Sequence, residues 1–175
     1  MGFAYRVHDQ SAAHFVTFTV HQWVDVFTRR AYSEILIESL NFCTQHKGLK
    51  VYAYVIMSNH CHLVIQSSKG RLSDLIRDIK RHTATKIMEA IENNFRESRR
   101  AWLIHLLKRN EDIWFWKDGY HGVEIRTRSF LKSKIRYIHL NPVRAGIVEK
   151  EEDYLLSSAS DFYGVRKGPV ILEPI

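Results

Sequence analysis

The sequence predicts an α+β fold, an antiparallel sheet with helices packed on one face, in the order strand, helix, strand, strand, helix, strand, helix. Three observations carry this expectation. Short runs of alternating β-branched and aromatic residues are separated by longer stretches whose apolar residues recur at three and four. Two of the strand-like runs lie side by side with only Ser58 and Asn59 between them. No internal repeat, linker or low-complexity tract divides the chain, and 175 residues suit one domain. The order matches the split β-α-β, or ferredoxin-like, plan with one further C-terminal helix. A single domain is expected over 1–175, with its core from about 14 to 148 and a tail from 149 to 175 to which no role can be assigned.

His14 to Val20 (HFVTFTV) alternates as a strand does. Ser33 is a candidate cap for a helix carrying Ile35, Leu36, Leu40 and Cys43, which Gly48 ends. Val51 to Met57 and His60 to Gln66 then form a hairpin about the Ser58-Asn59 turn. After Gly70 a long amphipathic helix repeats Leu72, Leu75, Ile76, Ile79, Thr83, Ile87 and Ile91, and Ala101 to Leu107 reads as helix too. Ile113 to Ile125 reads as an aromatic strand broken by a glycine-flanked turn. The last helix runs from Ser129 to Leu140, where Asn141-Pro142 is expected to stop it because a residue before proline avoids the α region.

Composition narrows the function classes. The longest apolar run, Val51 to Met57, falls far short of the roughly 18 residues needed to span a bilayer. The first twenty residues carry Arg6, His8 and Asp9 where a signal peptide has an apolar block. A chain that is neither exported nor membrane-inserted is expected. Only Cys43 and Cys61 are present, with no Cys-x-x-Cys pair, which excludes a zinc knuckle and a disulfide scaffold and favours a reducing cytoplasm.

The net charge of +7 is unevenly spread. Arg126, Arg128, Lys132, Lys134, Arg136 and Arg144 lie in one stretch with no acidic residue, so six of the seven excess charges sit there. Such a cationic surface suits a polyanion such as a phosphate backbone. The other basic clusters, near Lys80 and Arg100, are diluted by carboxylates and read equally well as solvated helix faces.

His60 and His62 are two apart on a predicted strand, so both imidazoles emerge on one sheet face and both can reach one metal ion, while Cys61 points into the opposite layer. Taken alone, such a pair is more often a structural feature. On the last helix Leu131, Ile135 and Ile138 mark the core side. Phe130, Lys134, Tyr137 and Asn141 form a second stripe at its border, which makes Tyr137 and Asn141 neighbours. Tyr137 alone reads as amphipathic filler, but the other seven tyrosines, Tyr5 among them, lack its charged setting.

Together AYVIMSNHCHLVI (Ala53 to Ile65), FWKDGYH (Phe115 to His121) and RYIHLNPVRAGIV (Arg136 to Val148) resemble the single-strand tyrosine transposases of insertion sequences, and among them the REP-associated group. The likeness runs from about His14 to Tyr163. It implies the HUH endonuclease chemistry of that family, with His60 and His62 as the metal pair, Asn141 as a third ligand and Tyr137 as the nucleophile. Ser58 departs from the proline that many relatives place in the turn. The resemblance further implies Mg²⁺ or Mn²⁺ as the working ion, no nucleotide cofactor, and hairpin-bearing single-stranded DNA as partner. The basic residues from Arg126 to Arg144 would hold its phosphates, and Lys134, one turn before Tyr137, is a candidate to favour the phenolate by its charge. Trp114, Trp116 and Tyr120 are candidates either to stack on unpaired bases or to fill the core. A homodimer is open, as is whether the tyrosine serves its own metal site or a partner's. Two other readings remain: a binding module for structured DNA or RNA that no longer cuts, and a metal-dependent phosphodiesterase in which Tyr137 is only structural.

Overall fold

In a computed structural model that describes residues 7–175, four antiparallel strands form one sheet, two helices cover one face and a third covers the other. Tyr5 and Arg6 lie outside the described residues. The elements are β1 (His14–Thr19), α1 (Arg30–Phe42), β2 (Leu49–Ile56), β3 (His60–Ser67), α2 (Leu72–Asn93), α3 (Arg100–Leu107), the two-residue strands β4 (Lys108–Arg109) and β5 (Asp112–Ile113), β6 (His121–Glu124), α4 (Arg128–Arg144) and the short α5 (Ala159–Phe162). The main sheet has the order β2-β3-β1-β6, the split β-α-β arrangement that the pattern predicts.

Strand alternation divides the core in two. Val16, Phe18, Cys61, Leu63 and Ile65 point toward α1 and α2, where they meet Leu36, Leu40, Ile76 and Ile79. Phe15, Val64, Ala53 and Val55 point the other way and pack under Ile135 and Ile138 of α4. On β2 the parity changes at a bulge between Val51 and Ala53, so Leu49 and Val51 serve the first layer while Ala53 and Val55 serve the second. The helices expected on one face are α1 and α2, and α4 lies alone across the opposite face.

Three element boundaries differ from expectation. Ser33 does not cap α1, which starts a turn earlier at Arg30; Ser33 is buried, and its hydroxyl donates to the Arg30 carbonyl. The aromatic segment from Ile113 to Ile125 is mostly irregular: β5 and β6 pair near its ends, Trp116 makes an isolated antiparallel bridge to Val20 between them, and Phe115 and Trp116 enter the first core layer, Trp116 donating its indole N–H to Thr83 Oγ1 at 3.0 Å. Trp116 is therefore core, while Trp114 is exposed and Tyr120 half-buried. Finally, Asn141-Pro142 does not stop α4. The restriction on a residue before proline is a bias and not a bar: Asn141 stays helical, Pro142 forgoes the N–H that would reach back one turn, and the helix ends two residues later at Arg144, with Gly146 in the left-handed region at φ 70°. The start of α4 is fixed by Thr127, whose hydroxyl accepts from the Phe130 N–H at 3.1 Å.

The tail, unassigned from sequence, lines the open edge of β2. Ile56 N–H donates to the Leu156 carbonyl, Ser158 N–H to the Tyr54 carbonyl and Glu173 N–H to the Val51 carbonyl. Lys50 and Glu173 pair at 2.7 Å beside them. This edge would otherwise present unpaired backbone groups to other chains.

Candidate active site

Because β1 and β3 pair with Thr17 opposite His62 and Thr19 opposite His60, these four side chains share the face that α4 covers. The His60 and His62 rings have centroids 4.8 Å apart. Cys61 between them is fully buried in the opposite layer, where burial pushes its thiol up to about 12 and makes it an inert core residue. The two imidazoles thus emerge together, as the spacing predicts.

Each ring is held by a hydrogen bond at Nδ1. His62 Nδ1 lies 2.7 Å from Thr17 Oγ1, and His60 Nδ1 lies 2.8 Å from Asn59 Oδ1. An amide oxygen only accepts, so His60 carries its hydrogen on Nδ1 and keeps the Nε2 lone pair available. Burial lowers the affinity of both rings for protons. That of His62 is pushed down to about 3, mainly by burial and further by the charges of His60, Lys134 and His121. Both imidazoles are accordingly neutral near neutral pH, the form that binds a metal.

Tyr137 arrives from α4. Its ring sits 5.2 Å from that of His62 and 5.8 Å, edge-on, from Phe15, which stacks on His62 at 5.4 Å. The residue is 37% exposed, so Tyr137 borders solvent instead of being sealed in the core. Lys134 Nζ lies 4.6 Å from the Phe15 centroid and 5.7 Å from that of Tyr137, and the Arg144 guanidinium lies 5.5 Å from the latter. A nucleophile-type hydroxyl, two neutral imidazoles and two cations therefore meet at one place within a single chain. Asn141 follows Tyr137 by one turn on the same stripe of α4 and is half-buried. Among the described residues no three His, Cys, Asp or Glu side chains converge on a common metal position.

The remaining basic residues do not share this location. Arg126 pairs with Glu124 at 3.0 Å. Arg128 and Lys132 project from the side of α4 roughly opposite Tyr137, given ~100° of turn per residue. Arg136 lies close enough to Tyr163 for its charge to act there. The cationic stretch thus winds around the helix, and only Lys134 and Arg144 reach the tyrosine.

The sequence model of the IS200-like transposases matches residues 8–141, a span that contains both histidines, the tyrosine and the asparagine. The chain belongs to the IS200-like transposase family. No curated protein sequence matches this transposase significantly. Its fold is similar to that of a solved REP-associated tyrosine transposase bound to a REP hairpin, with a TM-score of 0.70 at 16% identity over 95% of this chain and 89% of the other. A candidate transposase from Deinococcus radiodurans R1 is also similar at 16% identity, with a TM-score of 0.46 over 79% of this chain and 94% of that one. No helix among the described residues of the transposase is long and apolar enough to cross a membrane.

Several residues at the site escape sequence reasoning. Thr17 belongs to it only through the β1–β3 register, Phe15 through the same pairing, and His121 because β6 places it across Thr17 from His62. Asn59 is visible in the sequence as a turn former, but its bond to His60 is not.

Proposed function

We propose that this transposase cleaves and rejoins single-stranded DNA beside hairpins through a 5′-phosphotyrosine link at Tyr137, with His60, His62 and Asn141 holding Mg²⁺ or Mn²⁺. The observation that carries the reading is the Tyr137 ring edge-on to His62, in the same chain and on the same sheet face as His60. The donor set fits a divalent ion that takes its negative ligands from elsewhere. Two neutral imidazoles and one amide oxygen bring no charge, so a DNA phosphate completes the site, and binding without DNA is weak. When bound, the ion supplies Lewis-acid polarisation of the phosphate.

The chain's own residues do the rest. Tyr137 Oη attacks phosphorus; the O–P bond forms, the P–O3′ bond breaks, the phenol gives up its proton and the departing 3′ oxygen takes one up. One phosphodiester replaces another, so the step runs backward to rejoin strands without ATP. Lys134 and Arg144 bring positive charge to the attacked phosphate. Thr17 and Asn59 fix the imidazoles in the orientation that presents Nε2. Since one chain supplies both histidines and the tyrosine, the reading requires no second copy for chemistry.

The test is incubation with Mn²⁺ and hairpin-bearing single strands taken from the flanks of the protein's own coding sequence, followed by a denaturing gel. A covalent protein–DNA band that Tyr137→Phe removes is expected. Cleavage without a band identifies a hydrolase instead, and binding without cleavage a recognition module.

A further inference from the structure

Gln22 and Trp23 are consecutive non-glycine residues in the left-handed region, with φ 54° and 58°. Side chains rarely adopt this conformation, and it persists only where surroundings enforce it. Here they do. Trp23 N–H donates to the Val20 carbonyl at 3.0 Å, His21 N–H to the Phe115 carbonyl at 2.8 Å, and Asn59 Nδ2 to the Trp23 carbonyl at 3.2 Å. Yet this strained, tied turn leaves Trp23 54% exposed. Packing does not account for so large an aromatic in so constrained a place.

Its neighbours suggest a ligand. The Trp23 ring lies 6.1 Å from His60, edge to face, and Lys117 Nζ lies 4.5 Å from the indole centroid. Lys117 is itself exposed, and its N–H is anchored to the Thr19 carbonyl at 2.8 Å. A second pair of the same kind is built on His21, two residues before Trp23, with His21 against Trp114 and Arg109 over that indole at 5.3 Å. Exposed aromatic faces interleaved with cations are what an unpaired strand needs, bases stacking and phosphates pairing.

We propose that Trp23, with Lys117 beside it, is the stacking platform for an unpaired base next to the phosphate held at the histidine pair. The proposal rests on the DNA-processing reading of the site, but its test does not depend on cleavage. A base stacked on the indole takes the face that Lys117 leaves open, or displaces the ammonium on to its own phosphate.

The experiment measures binding of the full chain to a 20-nucleotide thymidine strand and to an all-abasic strand of the same length, by fluorescence anisotropy. The intact protein is expected to prefer the base-bearing strand by about tenfold or more, the range of one stacked base. Trp23→Leu, which keeps apolar bulk, loses about tenfold of that preference, Trp23→Phe retains most of it, and Lys117→Met weakens both strands alike. Equal discrimination by Trp23→Leu and the intact protein, or no discrimination by either, overturns the platform. Because Tyr137 chemistry is read separately by the covalent band, failure of one reading is distinguishable from failure of the other.

Discussion

Asn59 spans the site by its single amide, with Oδ1 2.8 Å from His60 Nδ1 and Nδ2 3.2 Å from the Trp23 carbonyl. The amide cannot be turned over without setting its oxygen against a carbonyl oxygen, so one residue fixes both the tautomer of His60 and the position of the Trp23 turn. Removing such a partner of a metal-binding histidine typically costs about 10- to 100-fold in metal affinity or activity. Asn59→Ala is therefore expected to raise the Mn²⁺ concentration needed for cleavage by about that factor, whereas Asn59→Asp, which still accepts from Nδ1 but sets its second oxygen against the Trp23 carbonyl, recovers part of the loss. Thr17→Val at His62 parallels the loss and Thr17→Ser parallels the rescue. Manganese titrations of cleavage check both pairs, and an unchanged requirement in Asn59→Ala and Thr17→Val contradicts the assignment.

Lys134 and Lys132 are close in sequence but lie on different sides of α4. Only Lys134 reaches the Phe15 and Tyr137 rings. Lys134→Met is expected to slow cleavage by at least about tenfold, the lower part of what one electrostatic donor to a developing charge supplies. Lys132→Met changes mainly the salt dependence of binding. Equal effects on the cleavage rate would mean that the basic stretch acts as one undivided surface.

Acid is expected to loosen α4. Buried His139 bonds Ser158 Oγ at 2.8 Å, and Ser158 in turn bonds the Tyr54 backbone, so this imidazole ties the tyrosine-bearing helix to the edge of the sheet. Burial pushes His139 down from 6.5 to about 4, against a smaller opposing pull from Glu151. The folded protein takes up this proton less readily than the unfolded chain, so the contribution is intact above pH 6.5 and is lost as pH falls toward 4. That window is worth up to ~3 kcal/mol at ~1.4 kcal/mol per unit. Urea unfolding across it should show a shallower pH slope for His139→Gln than for the unmodified protein; identical slopes contradict the tie.

A chain ending at Lys150 loses every tail contact to β2, including the Leu156, Ser158 and Glu173 backbone bonds. The truncated protein is expected to self-associate through the bared strand and to elute earlier on size exclusion at equal concentration. Elution at the size of a single truncated chain would show that the tail is not guarding the edge.

The fold was legible in the sequence where periodicity was strong. The α2 repeat from Leu72 to Ile91 is buried as its spacing predicts, and His60 and His62 share a face because strand alternation requires it. What was not legible depends on tertiary pairing. The bulge at Tyr52 reverses the facing of half of β2, and no local pattern announces it. Thr17 joins the site through register alone, and Trp116 is core because its segment bridges Val20 and its indole finds a buried partner in Thr83. Asn141-Pro142 misleads because the pre-proline preference against the α region is a bias that the packing of α4 overrides, and the helix continues only to Arg144. The six clustered cations read as one face only until helical geometry distributes them, leaving Lys134 and Arg144 beside Tyr137.

The most direct measurement is to locate the DNA–protein bond by mass spectrometry. After reaction with Mn²⁺ and a cleavable hairpin strand, nuclease trimming and trypsin, a nucleotide mass is expected on the peptide from Tyr137 to Arg144, released by cuts after Arg136 and Arg144. A nucleotide on any other tyrosine, or cleaved DNA with that peptide unmodified throughout, contradicts it.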